Sequence, residues 1–250
     1  MNLYPVFKKE LQSYFSSSIA YIIITIFLML SGFFFYTDVL NFNIRNMGGG
    51  ITLTEGVWLY FFQDIRFIFL LVIPLLTMRL FAEEVKLGTI ELLFTYPLRD
   101  IEILTGKFLA SLSLLLFILL LTLSYPVSLS MIWSPVESGS LLAGYLGLFL
   151  LGTSFIACGI FISSLTENQI VAAIGTLGVL ILFWFLTWNE AIAEPGFMKI
   201  LLRLSLFDRT YNFFRGVIDT KDVIFFIVFI LFFLFLTLQS LNSRRWRGLR

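Results

Sequence analysis

An all-helical membrane protein with six transmembrane helices is the fold class this sequence predicts, and three observations carry it. Hydrophobic residues fill 59% of the 250 positions and charged residues only 13%, where water-soluble domains carry about a quarter. The mean hydropathy is +0.95. The apolar residues fall into runs of about 20, the length a helix needs to cross a hydrocarbon core about 30 Å thick. These runs cover residues 19–37, 58–80, 103–125, 141–164, 169–188 and 223–241, each bounded by charge, Pro or Gly. They leave no room for a soluble domain, so residues 1–250 read as one membrane domain.

Ahead of the first run, Tyr4, Phe7, Leu11, Tyr14 and Phe15 recur at helical spacing opposite Lys8, Lys9 and Gln12. Residues 3–17 therefore read as a helix lying in the membrane interface, with a frayed tail as the alternative. Lys8 and Lys9 before an apolar run resemble a secretory signal. That run is too long, however, and no small-residue cleavage pattern follows, so it reads as an uncleaved first span.

Orientation follows from Lys and Arg in the flanks. Six spans put both termini on one side, and SRRWRGLR at the C-terminus makes that side the cytoplasm. The loop between the second and third spans lies there too. In it Leu87, Ile90, Leu93 and Phe94 share a helical face while Glu84, Lys86 and Glu91 turn elsewhere. Pro97 stops this piece, and Asp100 can cap a second helix, with Ile101, Leu104 and Phe108 on its apolar side, running into span three. An amphipathic connector has the same pattern, so periodicity alone leaves its role open.

The motifs in this loop narrow the choice. Arg79-Leu80-Phe81-Ala82-Glu83-Glu84, Gly88-Thr89-Ile90-Glu91-Leu92-Leu93, Pro97-Leu98 and Gly106-Lys107 follow one another in order. Ser163 to Gln169, Arg215-Gly216-Val217-Ile218-Asp219 and an Arg-Arg-Trp ending at Trp246 extend the pattern. Together they resemble the permeases of ABC-2-type transporters, most of all the gliding-motility exporter group, with a type V exporter-like architecture. The resemblance implies a permease subunit, most simply of an exporter, whose cytoplasmic coupling helix docks on a separate ATPase. It places Glu83, Glu84, Leu87, Gly88, Thr89, Glu91, Leu93, Pro97 and Lys107 at that contact. The glutamates would meet basic residues and Leu87 and Leu93 would anchor; snorkelling to lipid phosphates is the alternative for Lys107. It further implies two ATPase copies carrying ATP and Mg, a second permease copy or a related membrane subunit with a large outer domain, and the bacterial cytoplasmic membrane. A non-transporting anchor of an ATPase-driven envelope machine, and an ATP-independent carrier or channel, remain alternatives.

Other chemistry finds little support. The chain has no histidine and one cysteine, Cys158, so it lacks the commonest general base and metal ligand and any internal disulfide. Thr105-Gly106-Lys107-Phe108 fails as a phosphate loop, because Ile101 stands at the first glycine and Phe108 at the magnesium-binding hydroxyl. No catalytic, cofactor or metal residue is expected on this chain, and a net charge of +1 gives nucleic acid no reason to bind. Asp64 and Arg66 are the only ionisable residues well inside a span, and snorkelling toward the outer headgroups is their expected behaviour.

Small residues in span four (Gly144, Gly147, Gly152, Ser154, Cys158, Gly159, Ser163) and span five (Ala172, Ala173, Gly175, Gly178) are expected to let helices approach closely. Between spans five and six, two stripes predict outer interfacial helices: Phe197, Ile200, Leu201 and Leu204, then Phe207, Tyr211, Phe214 and Ile218. A loop resting on lipid is the alternative.

Overall fold

The computed structural model describes residues 3–45, 52–89, 99–132, 137–188 and 205–248, and among these every regular element is helical. Helix α1 (Leu3–Ser16) is followed by α2 (Ser18–Arg45), a π-helical turn at Thr54–Trp58, α3 (Leu59–Thr77) and the short α4 (Ala82–Lys86). Then come α5 (Asp100–Thr122), α6 (Ser124–Ile132), α7 (Ser138–Leu165), α8 (Gln169–Trp188), α9 (Leu206–Phe214) and α10 (Thr220–Gly248).

Five segments are long and apolar enough to cross a membrane: Ser18–Arg45, Thr54–Lys86, Asp100–Ser130, Ser138–Leu165 and Thr220–Arg244. A shorter apolar helix, Gln169–Phe185, coincides with the expected fifth span. Several elements outrun their hydropathy limits. Helix α2 continues to Arg45 past Asp38, whose side chain is buried against the bundle, and α6 carries the third span past residue 125. Hydropathy locates the lipid-length stretch, whereas backbone hydrogen bonding continues until a breaker or cap intervenes.

The centre of the bundle is α7, which packs against α3, α5, α8, α9 and α10. Its small residues permit this. An added Cβ at Gly144 would strike the Phe62 ring, at Gly147 Phe213, and at Gly159 Thr77. Fully buried Phe61, Phe62, Phe155, Phe207, Phe213 and Phe214 fill the interior around it, and Cys158 is buried there as expected. By contrast α2 and α10 keep exposed apolar faces, Met29, Phe33, Leu231 and Phe235 among them, as suits helices bounded by lipid.

Helix α1 crosses one end of the bundle with Val6, Glu10 and Tyr14 turned inward. The expected stripe is rotated, since Tyr4 and Phe15 are exposed and an acid occupies the inner face. Close packing against α5 is set by Gly106, where a Cβ would lie 2.8 Å from Val6 Cγ1.

Candidate functional site

Three helix ends meet beneath α1: the end of α3 with α4, the start of α5, and the end of α7. Helix α3 does not run unbroken into α4. It ends at Thr77, and a turn over residues 78–81 re-aims the chain. Ser163 of α7 holds that turn, its hydroxyl donating to Met78 O (3.0 Å) and accepting from the Phe81 and Ala82 backbone N–H groups (3.1 Å each). One side chain thus serves an orphan carbonyl and two orphan donors at facing helix ends. Next to it, the Ser164 carbonyl accepts from Arg244 Nε at 3.0 Å, tying α10 to the same place.

Helix α4 is five residues long, and of the expected apolar face Ile90, Leu93 and Phe94 lie outside the described residues. Leu87 N–H bonds to Glu83 O, and Gly88 then takes φ +68°, the left-handed conformation that closes helices at glycine. Helix α4 therefore closes there; Thr89 is helical again, and the expected stop at Pro97 lies outside the described residues. Lys86, Leu87 and Gly88 form an exposed tip, with Leu87 66% exposed, while Thr89 folds back to donate to Glu84 O at 3.3 Å. Glu91, Leu93 and Pro97 lie outside the described residues. Helix α5 then begins at Asp100 as its first residue. Its N-cap is Arg99, whose N–H donates to Glu102 Oε2 at 3.2 Å, so Asp100 is the first helical residue and not the cap expected of it.

Lys107 is not at the surface. Its residue is 1% exposed, and its Nζ lies 2.9 Å from both Glu10 Oε1 and Glu84 Oε1, over the Phe81 ring at 5.2 Å. The snorkelling alternative is thereby replaced by a buried ion triad joining α1, α4 and α5. Lys9 completes its outer side at 3.5 Å from Glu84 Oε1. Glu84 accordingly turns inward, while Glu83 sits half-buried at the rim of the cavity beside it. Behind the triad, Tyr14 Oη meets Leu76 O at 3.3 Å and Ser111 Oγ at 3.1 Å, and burial pushes its phenol pKa well above the ordinary value. Arg79 donates to Ser17 Oγ at 2.7 Å and lies over the Tyr14 ring.

Residue-type reasoning missed Glu10 and Ser163 as parts of this site. Glu10 had one signal, an acid four residues from both Val6 and Tyr14 on an otherwise apolar face.

At the opposite end, α9 packs into the bundle instead of lying along its edge. Leu206, Phe207, Thr210, Phe213 and Phe214 are buried, whereas Tyr211 and Ile218 are exposed, so the inward face is offset from the expected stripe. Phe197 and Leu201 lie outside the described residues. Arg66 does not snorkel outward; its Nη1 donates to Phe207 O at 3.1 Å and its guanidinium lies over the Phe207 ring. Arg209 pairs with Asp222 at 2.8 Å, fastening α9 to α10.

The described residues form a multi-pass helical membrane bundle in which an ion triad braces the start of the segment after the second crossing. A family model confirms the class: the ABC-2 family transporter proteins match residues 4–208, and the chain belongs to that family. Among curated proteins none matches the chain. Family membership makes this polypeptide a membrane permease component of an ABC transporter, a transport subunit that is not itself catalytic.

Proposed function

We propose that the chain is the permease of an ATP-driven exporter and that a separate ATPase grips it at residues 83–97. The observation that carries this reading is the joint between an exposed tip and a buried brace. Lys86, Leu87 and Gly88 are accessible, and three residues before Leu87 the chain is locked through Glu84 and Lys107 to α1 and α5. A tip without such a brace would bend when pushed. This one transmits displacement to two helices through charges and to α7 through Ser163, which is what a rigid lever requires.

In this reading the tip and both termini face the cytoplasm of a bacterial cell, with Glu91, Leu93 and Pro97 extending the contact. Two ATPase copies bind ATP and Mg, and a second permease copy, or a related membrane subunit, completes the path. ATP-driven closure of the ATPases rocks α3 and α5, and hydrolysis resets them.

The test is a complex purified from native membrane and reconstituted in lipid. Gly88→Pro cannot keep φ +68°, and Glu83→Lys reverses charge at the rim. Both variants are expected to lower ATPase recovery or permease-stimulated ATP hydrolysis at least about tenfold, the effect of losing one good interface contact. Full assembly and stimulation in both would remove the lever reading. ATP hydrolysis coupled to no movement of any cargo would favour a mechanical anchor.

A further inference from the structure

Beneath α1, beside the ion triad, lies a cavity of about 240 Å³ lined by charges of both signs. Its walls are two helical stripes, Lys9, Ser13 and Tyr14 from α1 and Arg79, Glu83 and Glu84 from the chain leaving α3. Lys107 is consumed between Glu10 and Glu84. What remains is of both signs. Glu84 Oε2 is buried with no hydrogen-bond partner, and Glu83 pairs with no cation among the described residues. Arg79 gives one bond to Ser17 and has further N–H donors, while the Lys9 side chain is 65% exposed.

The cavity adjoins a shallow apolar crevice lined by Ile19, Ile23, Leu75, Leu76 and Leu114, and the two share Tyr14 and Arg79. Amphipathic α1 and the ends of the spans place this junction at headgroup depth, with the crevice leading toward the hydrocarbon.

We propose that the cavity binds a phospholipid whose headgroup carries both a phosphate and a primary ammonium. Arg79, with Lys9 at the rim, takes the phosphate, Glu84 Oε2 and Glu83 take the ammonium, and an acyl chain lies against the exposed Ile19 and Leu75 side chains. A quaternary ammonium has no N–H for the unpartnered Glu84 Oε2, and a purely anionic headgroup would bring no cation to Glu83. A basic side chain from a partner protein would satisfy Glu84 Oε2 but leave the remaining Arg79 donors without an anion and the apolar surface beside them bare. The site shares Glu83 and Glu84 with the proposed ATPase contact, but lipid retention by the isolated chain is read without any ATPase, so the two readings fail separately.

The test uses the full-length chain, delipidated in detergent, with dioleoyl phosphatidylethanolamine, phosphatidylcholine or phosphatidylglycerol added, read by native mass spectrometry and thermal unfolding. The expected result is one retained phosphatidylethanolamine, held at least about tenfold more tightly than the other two, as loss of one charge-assisted hydrogen bond requires. Arg79→Gln and Glu83→Gln should each erase that preference, and soluble phosphoethanolamine or inorganic phosphate should not displace the lipid. Equal retention of the three lipids by the unaltered chain overturns the proposal even if a variant fails to fold. So does a preference for phosphatidylglycerol, or a soluble headgroup that competes at the lipid's own concentration. Variants that keep the lipid preference but lose the ATPase would make the cavity a protein socket and end the lipid assignment.

Discussion

One ammonium at Lys107 holds two carboxylates, and the asymmetry of buried ion pairs sets what its loss would do. Removing one partner of a buried charge group leaves the others desolvated and uncompensated, at a cost of about 3–5 kcal/mol. Lys107→Met strands Glu10 and Glu84, whose side chains are only 11% and 12% exposed, so a loss of that order is expected in detergent unfolding. Adding Glu10→Gln and Glu84→Gln should restore most of it, since the one charge then left unpaired in the group, Lys9, is 65% exposed to solvent. Ser163→Ala acts differently, depriving the Phe81 and Ala82 N–H groups of their acceptor at a cost of roughly 1–3 kcal/mol. On the proposed lever reading Ser163 links α7 to the coupling segment, so its replacement should also reduce stimulated ATP hydrolysis in the reconstituted complex, whereas a purely structural role would leave that rate per folded complex intact.

At the scale of elements, what could be read in advance was what depends on local sequence. Runs of about 20 apolar residues locate spans because lipid demands them, and the α1 pattern shows a helix because its period is local. Which side of α1 faces inward was not local. Glu10 becomes an inward residue only because Lys107, 97 positions away, arrives opposite it. Likewise Gly88 ends α4 through a positive φ that apolar spacing does not encode, and Tyr211 and Phe213 exchange roles because α9 docks on Gly147. Gly106 shows how tightly these contacts are set. Gly106→Leu drives a side chain into Val6 and the Phe7 backbone, so it should lift α1 from α5 and destabilise the protein by roughly 1–3 kcal/mol, the usual overpacking range. Hydrogen exchange should then show faster exchange across α1, while α7 and α10, which do not touch that contact, stay protected.

For the molecule as a whole, the question is where a transport path would run. The middle of the bundle is filled by Phe62, Phe155, Phe207 and Phe214, all fully buried, which under the proposed pairing of two permease copies leaves the path between chains. The helix face best suited to a second copy is on α8, where Ile174, Gly178 and Leu182 lie exposed in line. A Cβ added at Gly178 meets nothing within 4 Å, although small residues in membrane helices normally mark close approach to a neighbour. Beside it, α3 exposes Phe67 and Leu71, with Phe67 packed edge-on against Trp184 of α8 at 5.4 Å. Gly178→Cys should therefore form an oxidative cross-link between copies in native membrane, giving a species of twice the 28.8 kDa chain mass. The background is clean, because the single native thiol, Cys158, is fully buried in α7. A cysteine at Met29 on α2, exposed but with no such small residue aligned on its face, is the control and should stay monomeric. Cross-linking at Met29 and not at Gly178 would move the protomer contact to α2 and the path away from α3 and α8.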